Sequence, residues 1–288
     1  MLNLNLKKQV HFNAHMGRMG NQMFQYACAR NLELNFGYTC SLDDMSQLDY
    51  FELGTFARWS NAWKSKLFFH LAKRLHGMSV VGLDFEDMFQ DFSSWLPSIN
   101  QPTMVWGFFQ SERYFKASST AIRSSFRIKP LYQIGFHSFL QQQGLELGSY
   151  HAIHLRRTDY KDFKVKGLQG EDFTLPLSYY EQALEMLGQD KSLVVVSDDP
   201  AYCQQAYGHL PNVIVSAEDA ITDFQIMSNA QKLAISNSTF AWWAAWLNTD
   251  AEKIYSPQYF LGFKEAQEVP INIYPESWQQ ISVPEKEN

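Results

Sequence analysis

In the stretch His154-Leu155-Arg156-Arg157-Thr158-Asp159-Tyr160 an imidazole, two guanidiniums and a carboxylate crowd into a few consecutive positions. The residues before them, Tyr150–Leu155, read as a buried strand, so the charged groups emerge at its carboxyl end. A guanidinium fork matches two oxygens of a diphosphate and stays charged at any physiological pH. A departing diphosphate gains negative charge as its bond to sugar breaks. An arginine placed there therefore stabilises the transition state more than the ground state. The competing use is an ion pair with Asp159, which is expected for Arg157 and leaves Arg156 for a ligand.

Three further clusters have chemical potential. Ser197-Asp198-Asp199 follows a β-prone run; such carboxylates bind ribose hydroxyls or Mg²⁺, while Asp199, just before Pro200, equally suits a helix cap. Asp223 sits inside a predicted helix, and Asn237-Ser238-Thr239 opens the next one, where hydroxyls and backbone N–H groups can cradle phosphate or simply cap the helix. Asn237-Ser238-Thr239 also spells a glycosylation sequon, a poor acceptor if buried at a sheet rim. The fourth cluster is Gly17-Arg18-Met19-Gly20-Asn21-Gln22-Met23-Phe24-Gln25-Tyr26, a glycine-bearing strand-to-helix loop that brings amides close to a ligand or serves only the turn.

The elements that must position these groups alternate strand and helix. In the second half, strands are predicted over Tyr150–Leu155, Ser192–Val196, Asn212–Ser216, Lys232–Ser236 and Lys253–Ser256. Between them lie helices opened by Ser178 with Glu181 as a capping box, by Asp199-Pro200, by Asp219, and by Ser238. Short connections between such elements mean a parallel, doubly wound sheet, whose ligands bind at the carboxyl ends of the strands. Trp242, Trp243 and Trp246 recur at helical spacing and belong to the core. The first half offers a strand at Val10–Ala14, a loop His15–Gly20 and a helix Asn21–Phe36 stopped by Gly37. From about Asp43 to Gln110 only irregular structure and helices, one near Ala62–Leu75, are expected. Ile128–Gly148 reads as a Gln-rich helical link between an N-terminal α/β lobe, 1–140, and a C-terminal nucleotide-binding lobe, 141–288.

Composition narrows the classes. The 288 residues suffice for one large domain or two modest ones, and aromatics make up 15% of them, mostly as core. A net charge of −6 without a basic run argues against a nucleic-acid partner. Cys28, Cys40 and Cys203 are odd in number and lack metal-ligand spacing, which fits a reducing compartment and no structural zinc. No run reaches the roughly 18 apolar residues of a membrane span, and MLNLNLKKQVHF lacks signal-peptide order, so a cytoplasmic protein with at most peripheral membrane contact is expected.

Taken together, GNQMFQYA at 20–27, HLRRTDY at 154–160, SDD at 197–199 and DFQIMSNAQKLAISNSTFAWWAAWLN at 223–248 resemble the α-1,2-fucosyltransferases of glycosyltransferase family 11. Residues 40–125 match loosely. Thr158 and Ala244 stand where glycine is commoner, and neither removes a charged or hydrogen-bonding group. The resemblance implies a GT-B-like fold of two α/β lobes and inverting, metal-independent transfer of fucose from GDP-fucose to O2 of a galactose-containing oligosaccharide or glycolipid, in a setting such as lipopolysaccharide synthesis. No cofactor is implied. Carried over, Arg156 contacts the β-phosphate, His154 supports the diphosphate site, and Asp223 faces guanine or ribose. Ser238 and Thr239 cradle phosphate, and Gly20, Asn21 and Gln22 lie near donor and acceptor. Asp159 is the candidate base, or the arginines' ion-pair partner. A different GDP-sugar transferase, a metal-dependent phosphohydrolase and a non-catalytic sugar-binding protein are the alternatives.

Overall fold

The computed structural model describes residues 8–12, 17–42, 45–53, 79–80 and 88–283. The chain divides into two compact units, 1–128 with 271–273, and 129–270 with 274–288. The helix expected near Ala62–Leu75 lies outside the described residues.

In the first unit, β1 (Gln9–Phe12), fully buried, leads toward α1 (Met19–Phe36), which is followed by β2 (Thr39–Leu42), β3 (Ser79–Val80), β4 (Thr103–Val105) and α2 (Ser119–Ser125). The described strands form a parallel sheet in the order β2-β1-β4-β3. α1 begins at Met19, so Gly20 lies in its first turn rather than in the preceding loop, and Gly37 ends it at φ 67° as expected of a left-handed stop. β2 and β4 were not legible: Thr-Cys-Ser-Leu and Thr-Met-Val are too short and mixed for a period, and their pairing with β1 makes them strands.

The second unit opens with α3 (Ile134–Gln143), ended by Gly144 at φ 64°, so this helix is an integral part of the second unit. Then come β5 (His151–Leu155), α4 (Leu177–Leu187), β6 (Leu193–Ser197), α5 (Pro200–Tyr207), β7 (Val213–Val215), α6 (Ala220–Ser228), β8 (Lys232–Ala234), α7 (Thr239–Leu247), β9 (Lys253–Pro257) and β10 (Gln279–Ile281). The described strands run parallel in the order β10-β9-β8-β5-β6-β7. From β5 the chain winds outward through β6 and β7, then returns to the other side of β5 and winds outward again. The winding therefore reverses between β5 and β8, and connections leave the crevice there in opposite directions.

Two caps form as read. Asp199 accepts the Tyr202 N–H at 3.2 Å and Asp219 the Thr222 N–H at 2.8 Å. The capping box at Ser178 does not form. Pro176 takes the cap position in an extended conformation, ψ 156°, so α4 begins at Leu177 and Ser178 lies inside its first turn. α7, Thr-Phe-Ala-Trp-Trp-Ala-Ala-Trp-Leu, is apolar on nearly all sides, as a helix enclosed by protein must be. Trp242 meets Trp243 edge-on at 5.1 Å, Trp246 in a stack at 6.3 Å, and Trp278 at 5.5 Å. Among the described residues no helix is long and apolar enough to cross a membrane.

Trp242 has no solvent exposure. Trp242→Ala is expected to cost about 3–5 kcal/mol, the usual penalty for emptying a buried aromatic site. Urea unfolding followed by circular dichroism would measure it, and a loss under 1 kcal/mol would show that α7 is not a keystone.

Candidate functional site

The register of β5 on β6 pairs Leu155 with Ser197, which sets Arg156 beside Asp198 at the carboxyl rim. Asp198 Oδ1 accepts the Arg157 N–H at 2.9 Å, and Oδ2 accepts the Thr158 N–H at 3.1 Å, the Thr158 hydroxyl, and an ion pair from Arg156 Nη1 at 3.3 Å. One carboxylate thus holds the backbone and both ends of the 156–158 turn. Burial alone would raise the Asp198 pKa; the Thr158 hydroxyl, the Arg156 charge and the Arg157 N–H outweigh it, and the carboxyl lies below its ordinary value. Thr158, in place of the commoner glycine, contributes a hydrogen bond. No ribose or metal role is needed to account for Asp198. Among the described residues no cluster of three or more His, Cys, Asp or Glu side chains could hold a metal ion.

The two arginines divide differently from expectation. Arg156 takes Asp159, Nη2 to Oδ1 at 2.5 Å, because the tight turn Asp159–Asp162 lays residue 159 back over residue 156. Arg157 instead lies flat on the Tyr202 ring, 3.3 Å from its centroid, with Nε 3.5 Å from Asp199 Oδ2. Asp199 is therefore both the cap of α5 and a partner of Arg157. Arg156 also lies over Tyr160, whose hydroxyl donates to the Asn237 carbonyl at 2.9 Å and so ties the β5 loop to the end of β8.

His154 is 3% exposed, with Nδ1 2.8 Å from the Ser236 hydroxyl. Burial, and then the Arg156 charge, push its pKa down to about 3 against the opposing pull of Asp198. The ring is neutral and works as a hydrogen-bonded wedge between β5 and the residues after β8. Asn237 is likewise interior: its Nδ2 donates to the Phe173 carbonyl at 2.9 Å, and its exposure is 0%. It crosslinks loops through Nδ2 while its Oδ1 is buried without a partner, and the sequon it begins is inaccessible. Ser238, also buried, occupies the cap position of α7 but makes no side-chain capping bond, so that helix presents its first N–H groups, starting with Thr239, without an internal side-chain acceptor. Ser197 Oγ accepts the Asp199 N–H at 3.0 Å, which tightens the turn behind the arginines.

Asp223, in the first turn of α6, accepts the Ser216 hydroxyl at 2.5 Å. Burial pushes its pKa up to about 7; the Ser216 bond opposes this, and Glu218 and Asp219 add to it. Ser216, just after β7, carries no motif in the sequence; a hydroxyl following an apolar strand was the available signal. In the first unit, Asn21 and Gln22 share the start of α1. Asn21 Oδ1 accepts from Gln110 Nε2 at 2.8 Å, and Gln22 is buried. Gln110 carried no motif and was missed.

A guanidinium clamped at the reversal point of a parallel sheet, beside an uncapped helix N-terminus, is suited to a phosphorylated ligand. The comparisons agree with that architecture. Solved structures of Arabidopsis thaliana FUT1 in complex with GDP and of fucosyltransferase NodZ from Bradyrhizobium share the fold, each at TM-score 0.54 and 12% identity, covering 89% and 86% of this chain and 71% and 95% of those chains. The architecture is thus GT-B-like. The Escherichia coli O-antigen biosynthesis glycosyltransferase WbnK is 26% identical over 83% of this chain and 90% of its own length. The Escherichia coli alpha-1,2-colitosyltransferase is 29% identical over 61% of each. The profile described as Glycosyl transferase family 11 matches residues 84–278, a stretch holding β5 to β9 and every charged group of the rim, and the chain belongs to that family of glycosyltransferases.

Proposed function

We propose that the protein is an inverting galactoside α-1,2-fucosyltransferase that uses GDP-fucose without a metal ion. The observation that carries this reading is Arg156, emerging at the point where the sheet reverses, oriented by Asp198 and adjoining Asp159. In the free protein its charge is balanced by two carboxylates. A diphosphate offers a doubly charged partner for the same fork, and Arg156 then exchanges Asp159 for the β-phosphate. The first N–H groups of α7, with the Ser238 and Thr239 hydroxyls, add neutral donors to the same phosphates.

Inversion is a single in-line displacement: the galactose O2 attacks the anomeric carbon, the bond to GDP breaks, and the O2 proton passes to a base. Asp159, released from Arg156 as the diphosphate binds, is the candidate for that base. Asp223 takes the guanine or ribose side. A buried carboxylate with one hydroxyl donor is costly in the free protein, and nucleotide N–H or O–H groups supply the missing donors. Likeness to a protein named alpha-1,2-colitosyltransferase favours a second reading, in which the same nucleotide carries a different sugar. The acceptor is a galactose-containing glycan of the kind assembled in O-antigen synthesis, a setting supported by the name of WbnK.

Transfer of labelled fucose from GDP-fucose to a panel of β-galactosides tests this directly. Wild-type turnover is expected to be indifferent to EDTA, and Arg156→Ala to lose about 10²–10³-fold in kcat. Turnover that needs added metal, or a fully active Arg156→Ala, would sink the arginine-centred mechanism. Asp159→Asn should abolish most transfer while GDP binding, followed by calorimetry, is undiminished; weakened GDP binding would remove Asp159 from the acceptor side.

Asp223 gives a pH-dependent prediction. Its folded pKa of about 7 stands above the ordinary aspartate value, so between roughly pH 4 and 7 the folded state holds a proton that the unfolded state releases. Stability falls as pH rises through that window, and the penalty is complete above it. Asp223→Asn is therefore expected to raise the melting temperature of the ligand-free protein by a few degrees at pH 8 and hardly at all at pH 4.5, and to weaken GDP binding. A lower melting temperature at pH 8 would contradict this account.

A further inference from the structure

The loop that follows the arginines closes on itself at the rim of the second unit. The Phe173 N–H donates to the Tyr160 carbonyl at 2.8 Å, so residues 161–172 leave and return at one point. Both closing residues are tied to Asn237. The Tyr160 hydroxyl donates to the Asn237 carbonyl at 2.9 Å, and Asn237 Nδ2 donates to the Phe173 carbonyl at 2.9 Å. Within the loop Phe163 turns back onto Tyr160, the rings 5.3 Å apart and 8° from parallel, and meets Phe173 edge-on at 6.0 Å. A compact loop with joined ends and its own aromatic packing is a built element, and its first residue is the one beside Arg156.

The Tyr160 ring is thus fixed by its hydroxyl, by its backbone and by a stacked neighbour. The central carbon of the Arg156 guanidinium lies 5.5 Å from the centre of that ring. The other two partners of the same guanidinium, Asp159 and Asp198, are carboxylates. The difference matters for a group that must receive an anion. A carboxylate holds a guanidinium by neutralising it and competes with an incoming phosphate. An aromatic face attracts the cation through the ring quadrupole and leaves both the charge and the N–H fork available. Asp198 is fixed by the Arg157 and Thr158 N–H groups, whereas the Asp159 side chain is 40% exposed and free of such backbone bonds to its carboxylate in the turn, so Asp159 is the partner that can leave. The Tyr160 ring and Asp198 then keep the head from swinging into solvent.

We infer that Tyr160 is a positioning residue: its ring, set by Phe163 and Asn237, seats the Arg156 guanidinium while a nucleoside diphosphate displaces Asp159, so that the charge meets the phosphate already oriented. The identity of that ligand rests on the function proposed above; the seat is a property of the second unit alone. Tyr160 acts through Arg156 and needs no contact of its own with the nucleotide.

A double-mutant cycle separates this role from simple support of the loop. Tyr160→Leu removes the aromatic face and is expected to weaken GDP binding, followed by calorimetry, by about 5–30-fold and to lower kcat by a similar factor. In an Arg156→Ala background the same change should alter either quantity by less than about twofold, because the group being seated is gone. Tyr160→Phe keeps the ring and loses only the hydroxyl bond, and should restore most of the loss. Equal losses with and without Arg156, or a Tyr160→Phe as damaged as Tyr160→Leu, would overturn the inference, since a merely structural loop gives additive effects. Should Tyr160→Leu fail to fold, Phe163→Leu removes the stacked neighbour instead; its smaller loss should likewise vanish without Arg156, and additivity there counts equally against the seat. A second measurement needs no nucleotide. In ¹⁵N spectra the Arg156 Nε–H resonance, identified by its disappearance in Arg156→Lys, should move in Tyr160→Leu and hold its place in Tyr160→Phe. An unmoved resonance in Tyr160→Leu would show that the ring does not seat the guanidinium. A wild type that fails to bind GDP would overturn the proposed function and the ligand named here, while this resonance still decides the seat.

Discussion

The second unit is organised around the carboxylate of Asp198. Parallel strands end in loops whose backbone N–H groups have no ladder partner, and at the rim of β5 those groups belong to the residues that carry the positive charges. Asp198 satisfies the N–H groups of Arg157 and Thr158 and pairs with Arg156 at once. A side chain as long as arginine loses much rotamer freedom when immobilised. Clamping the turn beneath it and flanking its head with Asp159 and Tyr160 meets that cost during folding, before a ligand arrives. Preorganised charge is also the form in which electrostatic stabilisation of a transition state is most effective.

His154 illustrates how the same low-dielectric surroundings select protonation states. An imidazole beside two guanidiniums suggests a pool of positive charge. Interior placement next to Arg156 instead makes the neutral ring the stable form, and its bond to Ser236 becomes a strut across the reversal point of the sheet. Asp223 shows the opposite case, in which burial and two neighbouring carboxyls disfavour charge and the Ser216 hydroxyl is the chief opposing influence. Both groups are held in states set by burial more than by their intrinsic acidity.

The two units share a habit of spending stability on orientation. In the first, Phe109 is kept in a left-handed conformation by its aromatic neighbours so that Gln110 reaches Asn21. In the second, Asp223 is buried with its hydrogen-bonding capacity underused. The surplus that tolerates both comes from well-packed cores, such as the cluster of Trp242, Trp243, Trp246 and Trp278 around α7.

The local frame is legible in the order of the residues. Runs such as Leu-Val-Val-Val, the Asp199-Pro200 and Asp219 caps, and the glycine after Phe36 specify backbone over a few residues, and they located the strand ends where the charged groups emerge. Partnership was decided only by tertiary structure. Which arginine takes Asp159 depended on a single tight turn, and the burial of Asn237 depended on loops bringing Phe173 and Phe260 to it. The strands β2 and β4 existed only through pairing with β1, and Gln110 meets Asn21, 89 positions away, only because the left-handed backbone at Phe109 turns it there. Periodicity and capping report energies between near neighbours in the chain, whereas register, burial and ion-pair choice are set by contacts whose sequence separation leaves no local trace.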